Sequence, residues 1–384
     1  MTAPKVMIVA IEASADALGA GLARALKARV PGVTFFGVGG AQMAAEGIDS
    51  PFDTHELQVW GLIEGLMALR RAQRRVREVA EIAAREKPDA AVLIDAWGFN
   101  LRMAHALRKL DPNIKLIKYV GPQLFASRPG RAKTLAKAVD QLLAILPFDA
   151  PYYQPYGLPV TFVGNPSLTL DVTGANGARF RKVVGAGKTD PVLLVLPGSR
   201  PAEIRRLMPD FEDAARRLIA DRPRLKVAVV AADTVADQVR EAVAGWPVET
   251  VIIQGHEAKL DAMKGATVAI ACSGTVTSEL ALAGCPMVVG YKVSKSTYAI
   301  GKHLIRTPWI VLLNIAAGRA IVPELIQHAC TGDALAALAG ERLDDAALRA
   351  RQIADQNAAL DVMGRGGPDP AVKAAEVVAG YLKR

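Results

Sequence analysis

The sequence predicts an α/β protein made of two Rossmann-like, doubly wound domains that face a cleft. The chain has 384 residues, more than one hydrophobic core usually organises. Short β-branched runs alternate with helical patterns, and this series repeats after a Gly-rich stretch at 174–187. Ligands of such sheets bind beyond the carboxyl ends of the strands, so the cleft is the expected site.

The first series predicts a buried parallel sheet, because its strand-like runs are almost continuously apolar. The runs are 5–11, 34–38, 90–94, 115–120 and 142–146. Apolar residues at helical spacing predict helices at 18–27, 73–85 and 100–110 between them.

The second series predicts a second sheet, with runs at 192–196, 226–230, 251–253, 267–271 and 287–290. We place the boundary within 164–187, which gives an N-terminal domain at 1–165 and a C-terminal domain at 166–364. The chain is Ala-rich and helical from Asp333, breaks at 364–370 and ends in a helix at 371–384, which we expect to pack on the first domain.

The charge of the chain indicates an anionic ligand or surface. Its net charge is +9, which favours phosphorylated substrates or anionic membranes. Aromatic residues are only 5% and do not interleave with basic runs, so nucleic acid is not expected as a partner.

Several features predict a cytoplasmic protein. Three cysteines without CxxC spacing indicate a reducing compartment, and the N-terminus lacks the pattern of a signal peptide. No apolar run reaches the length of about 18 to 20 residues that a membrane span needs, so any membrane contact should be peripheral.

Two strand-to-helix turns in the second half predict a phosphate site. Gly198, Ser199 and Arg200 follow a strand and precede a helix that starts at Pro201, so backbone N–H groups and a guanidinium should converge at a positive helix end. An ordinary turn with a solvated Arg200 is the alternative.

The second turn, Ser273, Gly274 and Thr275, has the same position after a strand, and Glu279 lies one helical turn further on. Two such turns, with a carboxylate for ribose hydroxyls, suit a nucleoside diphosphate sugar. Simple helix capping by Ser273 or Thr275 is the alternative.

The sequence does not favour other types of nucleotide site or a metal site. Neither turn matches GxxxxGK[ST], and the glycines at 37–40 lack GxGxxG spacing. The five histidines show no HExxH or paired metal spacing, and no Asp-x-Asp run ends a strand. We therefore expect no metal and no cofactor.

The chain resembles the lipid-A-disaccharide synthase family nearly end to end. The first half is similar at Glu12-Ala13-Ser14-Ala15-Asp16, Trp60-Gly61-Leu62-Ile63-Glu64, Ile94-Asp95-Ala96, Phe99-Asn100 and Ile145-Leu146-Pro147-Phe148. The second half is similar at Leu196-Pro197-Gly198-Ser199-Arg200, Ser273-Gly274-Thr275, Leu313-Asn314-Ile315 and Val322-Pro323-Glu324-Leu325-Ile326-Gln327.

The resemblance implies a GT-B type glycosyltransferase of lipid A biosynthesis, inverting and metal-independent. It implies transfer of diacylglucosamine from its UDP donor to a lipid monosaccharide phosphate. The donor would lie on the C-terminal domain and the acceptor on the N-terminal one. The residues expected to hold the donor are Gly198, Ser199, Arg200, Ser273, Gly274, Thr275, Glu279, Asn314, Glu324 and Gln327.

The main departure from the family pattern is Gly98, where the family has an aspartate that is a leading candidate for the catalytic site. Asp95, at the carboxyl end of a strand, is the first candidate for the base that replaces it, and Asp16 is the second. Asp89, at the start of the same strand, is the third. Helix capping by Asp95 and a first-turn helix position for Asp16 are the alternatives.

An apolar segment followed by arginines predicts contact with the inner membrane and the lipid acceptor. An apolar patch beside cations suits insertion near headgroups and an anionic surface, and a core helix running into a solvated basic one is the alternative. The residues assigned to this role are Trp60, Leu62, Ile63, Leu66, Arg70, Arg71 and Arg128.

Three other functions remain open at this stage: a paralogue with a different acceptor, a non-catalytic homologue that binds UDP sugar or lipid, and a nucleotide-sugar epimerase of similar fold. The sequence does not decide the oligomeric state and is compatible with a homodimer.

Overall fold

The computed structural model describes residues 3–57, 64–124, 128–246, 249–294, 298–299, 305 and 307–382, without the side chains of 64–68. The chain divides into two compact units. The first consists of Met1–Asn165 and Gly367–Arg384, and the second of Pro166–Gly366.

The first unit contains a six-stranded parallel sheet in the order β2-β1-β3-β4-β5-β6. Its strands are β1 Lys5–Ala10, β2 Thr34–Val38, β3 Ala90–Ile94, β4 Lys115–Tyr119, β5 Gln141–Ala144 and β6 Val160–Phe162. Its helices are α1 Ala13–Arg29, α2 Ala41–Ala45, α3 Glu64–Glu86, α4 Trp97–Leu110 and α5 Arg131–Ala138, with 3-10 turns at Thr54–Leu57, Pro147–Tyr152 and Gln154–Tyr156.

The central strands of this sheet are apolar because helices cover both of their faces. Every residue of β3 is fully buried, and alternate residues enter two separate cores: Leu93 packs with α3 and α4, whereas Ile94 packs with α1. The chain order reverses direction between β1 and β3, so the topological switch point lies where these two strands end.

The last helix of the chain belongs to the first unit and packs against α1. It contributes Ala375, Val378 and Leu382 to the core that contains Ile8 and Ile117. The Tyr381 hydroxyl also donates a 3.0 Å hydrogen bond to Oε1 of Gln141.

The second unit contains another six-stranded parallel sheet in the order β12-β11-β10-β7-β8-β9. Its strands are β7 Val192–Leu196, β8 Lys226–Val230, β9 Thr250–Ile253, β10 Val268–Cys272, β11 Met287–Tyr291 and β12 Glu324–Ile326. Its described helices are α6 Gly177–Val183, α7 Pro201–Asp221, α8 Ala236–Ala244, α9 His256–Gly265, α10 Thr275–Leu282, α11 Leu312–Ala317, α12 Gly332–Asp344 and α13 Ala346–Val362. The last helix of the chain, α14 Pro370–Leu382, belongs to the first unit. The switch point of the second unit lies between β7 and β10.

The prediction of two doubly wound sheets is confirmed, and the sequence missed only one edge strand of each. Both β6 and β12 are three residues long, and all of their residues are half-buried. Such short edge strands carry too little apolar patterning to stand out from the flanking loops.

Candidate functional site

The turn after β7 is shaped by Gly198 and by Glu203 in the first turn of α7. Gly198 has φ 115°, and a Cβ added there would lie 2.3 Å from Oε2 of Glu203. The same oxygen accepts the backbone N–H groups of Ser199 at 3.1 Å and Arg200 at 3.3 Å. The turn therefore needs glycine for both conformation and space.

The expectation that the backbone N–H groups of Ser199 and Arg200 cradle a phosphate is wrong for this conformation, because Glu203 already binds both of them. Its carboxylate takes the place of an anion at the positive end of α7. The Arg200 guanidinium extends into solvent with 62% of its side chain exposed and contacts the other oxygen of Glu203 at 3.1 Å. What this turn offers a ligand is therefore the Arg200 cation.

The second turn leads directly into α10, which begins at Thr275 after the N-cap residue Gly274. The first N–H groups of a helix have no intrahelical acceptor, so this end of α10 can bind an anion. Inside the helix, the buried Thr277 hydroxyl donates to the Gly274 carbonyl at 2.8 Å and holds the turn in place. The neighbouring Cys272 is not a nucleophile, because burial raises the pKa of its thiol to about 12.

A cavity of about 310 Å³ joins the two turns at the β7/β10 switch point. Lys259 lines it and forms a 2.9 Å ion pair with Glu279, and Val230 and Ala232 give it an apolar wall. The sequence did not single out Lys259, Val230 or Ala232. The predicted residues that line the cavity are Gly198, Ser199, Arg200, Ser273, Gly274, Thr275 and Glu279.

The other predicted donor residues, Asn314, Glu324 and Gln327, do not line this cavity and use their side chains to hold backbone. The carboxylate of Glu324 accepts the N–H groups of Ile310 at 2.8 Å and Val311 at 3.0 Å. Burial raises the pKa of Glu324, while these two hydrogen bonds and one from Asn314 act in the opposite direction.

Asn314 is fully buried and also bonds to the backbone of 321 and 322, while Gln327 pairs with both backbone groups of Val293. These bonds give the three side chains a loop-supporting role in this structure, and their assignment as donor contacts stays a prediction.

In the first unit, Asp95 follows β3 at the β1/β3 switch point, as predicted. Asp95 and Ala96 both have left-handed backbone, with φ 48° and 43°, and α4 starts at the next residue. Each such conformation costs a non-glycine residue about 1 to 2 kcal/mol, and strain of this kind clusters at functional sites. The carbonyl of Asp95 accepts hydrogen bonds from Asn100 and Lys118, and its carboxylate is half-buried.

Asp16 is corrected from a candidate base to a structural carboxylate. It is 6% exposed, and its two oxygens accept the backbone N–H groups of Gly40 at 2.7 Å, Gln42 at 2.9 Å and Met43 at 3.1 Å. These are donors at the start of α2, so Asp16 caps that helix from α1.

Asp89 is also corrected, because it lies at the opposite edge of the sheet. Its carboxylate accepts the N–H of Lys5 at 2.9 Å, at the amino ends of β1 and β3. Five residues of strand, about 16 Å, separate it from the switch point. At Gly98, an added Cβ would meet only Nη1 of Arg102, at 3.5 Å, so the position has room for a side chain.

Two ionisable residues that the sequence did not single out lie at or near this edge. Lys118 is 3% exposed near the carboxyl end of β4, and burial lowers its pKa to about 7. Asp149, just beyond β5, is 4% exposed, and burial raises its pKa to about 7. A lysine inside the apolar run 116–120 was the available signal for the first; Asp149 had none, because it lies in a Pro-rich turn.

Cations of the first unit lie near this edge and along α3. The Arg131 guanidinium stacks on the Trp97 ring at 4.9 Å, and desolvation and the charge of Arg128 lower the pKa of Arg131. Along α3, Arg70 and Arg71 are exposed. Trp60, Leu62 and Ile63 lie outside the described residues, as does the side chain of Leu66.

The described residues include no group of three His, Cys, Asp or Glu side chains arranged to hold a metal ion. No helix within the same ranges is long and apolar enough to cross a membrane.

Known structures with this fold define its class. The S. aureus MnaA–UDP co-structure has a TM-score of 0.62 at 14% identity and covers 99% of this chain and 96% of its own. The glycotransferase of kitacinnamycin has a TM-score of 0.62 at 16% sequence identity, and the match covers all of both chains. The Neisseria meningitidis UDP-GlcNAc 2-epimerase bound to UDP-GlcNAc has a TM-score of 0.57 at 10% identity, and the match covers 98% of this chain and 99% of the epimerase. The two units thus form the fold shared by GT-B glycosyltransferases and these epimerases.

The sequence comparison separates those classes. The chain matches the family model for lipid-A-disaccharide synthetase over residues 6–364 and belongs to that family. It is 39% identical over 380 residues to the lipid-A-disaccharide synthase of Rhodospirillum centenum, covering 99% of this chain and 95% of the relative. The lipid-A-disaccharide synthase of Ruegeria pomeroyi is 39% identical over 384 residues, and the match covers 97% of this chain and 94% of the relative. The chain is therefore a glycosyltransferase of lipid A biosynthesis, as predicted.

Proposed function

We propose that this chain transfers diacylglucosamine from its UDP donor to a lipid monosaccharide phosphate, releasing the lipid A disaccharide and UDP. The observation that supports it most directly is the cavity at the β7/β10 switch point, where the start of α10 and the Arg200 cation can receive a diphosphate. The ion pair between Lys259 and Glu279 offers polar atoms for ribose hydroxyls, and Val230 and Ala232 offer a surface for the base.

The reaction is a single displacement at the anomeric carbon of the donor sugar. The acceptor oxygen forms a bond to that carbon while the bond to the diphosphate breaks, and Asp95 takes the proton of the acceptor hydroxyl. Charge then develops on the UDP leaving group, where Arg200 and the positive end of α10 stabilise it. These groups supply the stabilisation that a metal would give, so activity should persist in EDTA.

The phosphate of the acceptor fits the cations that follow β4. Arg128 and Arg131 are close enough for their charges to repel, and no ion pair is found for either within the described part of the chain. Arg131 stacks on Trp97, two residues beyond Asp95. A phosphate bound here would relieve the repulsion and leave the sugar near Asp95.

Peripheral binding to the inner membrane is supported by the exposed arginines of α3. Arg70, Arg74 and Arg77 share one face of the helix at a spacing of four and three residues, and within the described ranges none of them forms an ion pair. Such a stripe suits anionic headgroups. Arg75, by contrast, is bonded to Glu56 and Glu78.

The deciding experiment is an assay of purified protein with UDP-diacylglucosamine and the lipid monosaccharide phosphate. We expect disaccharide and UDP in equal amounts. Donor isomerisation without acceptor would indicate an epimerase, and donor binding without any turnover would indicate a non-catalytic homologue. Turnover only with another acceptor would indicate a paralogue.

For the membrane, we expect Arg70→Ala/Arg74→Ala/Arg77→Ala to weaken binding to phosphatidylglycerol vesicles, and Leu62→Ser/Ile63→Ser/Leu66→Ser to do the same. Unchanged binding by both folded variants would rule out this surface.

A further inference from the structure

Lys118 is a buried cation placed directly beneath the turn that carries Asp95. Its ammonium group donates to the carbonyl of Leu93 at 3.2 Å and to the carbonyl of Asp95. Both acceptors are backbone groups at the end of β3, the strand that pairs with β4. The lysine therefore links β3 and β4 next to the residues whose backbone has the left-handed conformation.

A buried lysine of this kind is unfavourable for folding. Lys118 lies on the same face of β4 as Leu116, which is fully buried, and no carboxylate forms an ion pair with it within the described residues. Burying an unpaired charge costs far more than burying an apolar side chain of the same length. Methionine would fill this space without that cost, so the lysine is a candidate for a role beyond packing.

The surroundings of Lys118 show what it supports. Asn100 also donates to the Asp95 carbonyl, at 3.0 Å, and to Ile94 at 2.7 Å, while its Oδ1 has no partner among the described residues. The left-handed Asp95 and Ala96 are thus held by two buried side chains from different elements. Among the charged groups described, Asp95 and Glu12 are those whose charges act on the Lys118 ammonium, and both lie at the same sheet edge.

We propose that Lys118 is a positioning residue for glycosyl transfer: its hydrogen bonds to the carbonyls of Leu93 and Asp95 fix the left-handed turn that presents Asp95. This inference rests on the proposed role of Asp95 as the base. Burial lowers the pKa of Lys118 to about 7, so the charge of this side chain changes near neutral pH.

The stability of the fold supplies an independent readout. Below about pH 7 Lys118 is charged in both the folded and the unfolded chain, so folding bears the full cost of its burial. Between pH 7 and the normal lysine pKa of about 10.4, the unfolded chain binds one proton more than the folded chain, so stability rises with pH. Lys118→Met should therefore stabilise the protein most at or below pH 7, and the gain should shrink as pH rises.

The test compares Lys118→Met, Lys118→Gln and, as a matched control, Lys115→Met, which replaces the exposed lysine of the same strand. We expect Lys118→Met to melt at a higher temperature than wild type at pH 6.5 and to lose about 10- to 100-fold in kcat, because the turn is no longer fixed. Its KM for the UDP sugar should not change. Lys118→Gln keeps an N–H donor and should retain more activity than Lys118→Met.

Lys115→Met should match wild type in both assays. If Lys118→Met is as active as wild type or fails to fold, the proposal is wrong. Absence of disaccharide synthesis by the wild-type protein would instead contradict the proposed function, while the melting curves would still report on the burial of Lys118.

Discussion

Glu203 binds Arg200 twice: one carboxylate oxygen accepts the backbone N–H at 3.3 Å, and the other accepts the guanidinium at 3.1 Å. The helix end that would otherwise attract a phosphate is thus occupied by a side chain of the protein. A diphosphate in this cavity would meet the Arg200 cation and the start of α10, so we expect these two groups to contribute most to donor affinity.

Arg200→Ala should weaken UDP binding by about 10- to 100-fold, because a charge-assisted hydrogen bond contributes about 1.5 to 3 kcal/mol. Isothermal titration with UDP measures this directly. Arg205→Ala is the matched control, since Arg205 is exposed one turn further along α7 and does not line the cavity. Equal UDP affinity for the Arg200 variant and wild type would contradict the assigned role.

Gly198→Ala should destabilise the second unit by about 1 to 3 kcal/mol, because the new Cβ requires an unfavourable φ and overlaps Glu203. UDP binding should also fall, since the turn must move. Thermal melting and titration test both effects. In Gly174→Ala the added Cβ meets nothing within 4 Å, so this variant should behave as wild type; similar behaviour of the two would show that the turn tolerates a side chain.

Gly98→Asp restores the carboxylate of the family pattern at a position with room for it. We expect the variant to be about 1 kcal/mol more stable, because it removes a helical glycine and adds a negative charge in the first turn of α4. If Asp95 is the base, kcat should stay close to wild type. A large rise in kcat would show that the missing aspartate limits the reaction.

Asp16→Ala should lower the stability of the first unit by about 2 to 4 kcal/mol, since three backbone N–H groups lose their acceptor. Asp16→Asn keeps one acceptor oxygen and should lose less. Melting temperatures of both variants test the prediction. A folded Asp16→Ala protein with wild-type stability but no activity would return Asp16 to the list of catalytic candidates.

Asp149→Asn should stabilise the protein at pH 8 but not at pH 4. Burial raises the pKa of Asp149 to about 7, so between pH 4 and 7 the folded chain binds one proton more than the unfolded chain, and stability falls as pH rises. The asparagine side chain does not ionise, so Asp149→Asn does not lose this stability as the pH rises. Asp171→Asn is the control: the pKa of this exposed residue is lowered by Thr173, so its effect on stability changes only below about pH 4 and should be similar at the two pH values. Melting curves at the two pH values decide.

The sequence was sufficient to predict both sheets and the turns at both switch points, because a buried parallel strand followed by a turn and a helix leaves a clear local pattern. It also predicted that Asp95 lies at the carboxyl end of its strand. These features depend on residues that are neighbours in the chain.

The sequence was insufficient where a side chain finds its partner far along the chain. Asp16 looks like a catalytic carboxylate until Gly40 and Met43 are seen to bond to it, 24 and 27 residues away. Asn314 and Gln327 carry family motifs, yet their polar atoms are taken by loops. Lys118 was missed for a related reason: an isolated lysine in an apolar run gives no indication of which carbonyls it will reach.

The return of α14 to the first unit has a consequence for synthesis on the ribosome. Residues such as Ala375 and Val378 are translated after all of the second unit, so the core around Ile8 and Ile117 lacks one wall until translation is nearly complete. The second unit is continuous in sequence and has all of its residues earlier. In the cell, the half of the protein that is made first can therefore complete its core only after the other half has been made.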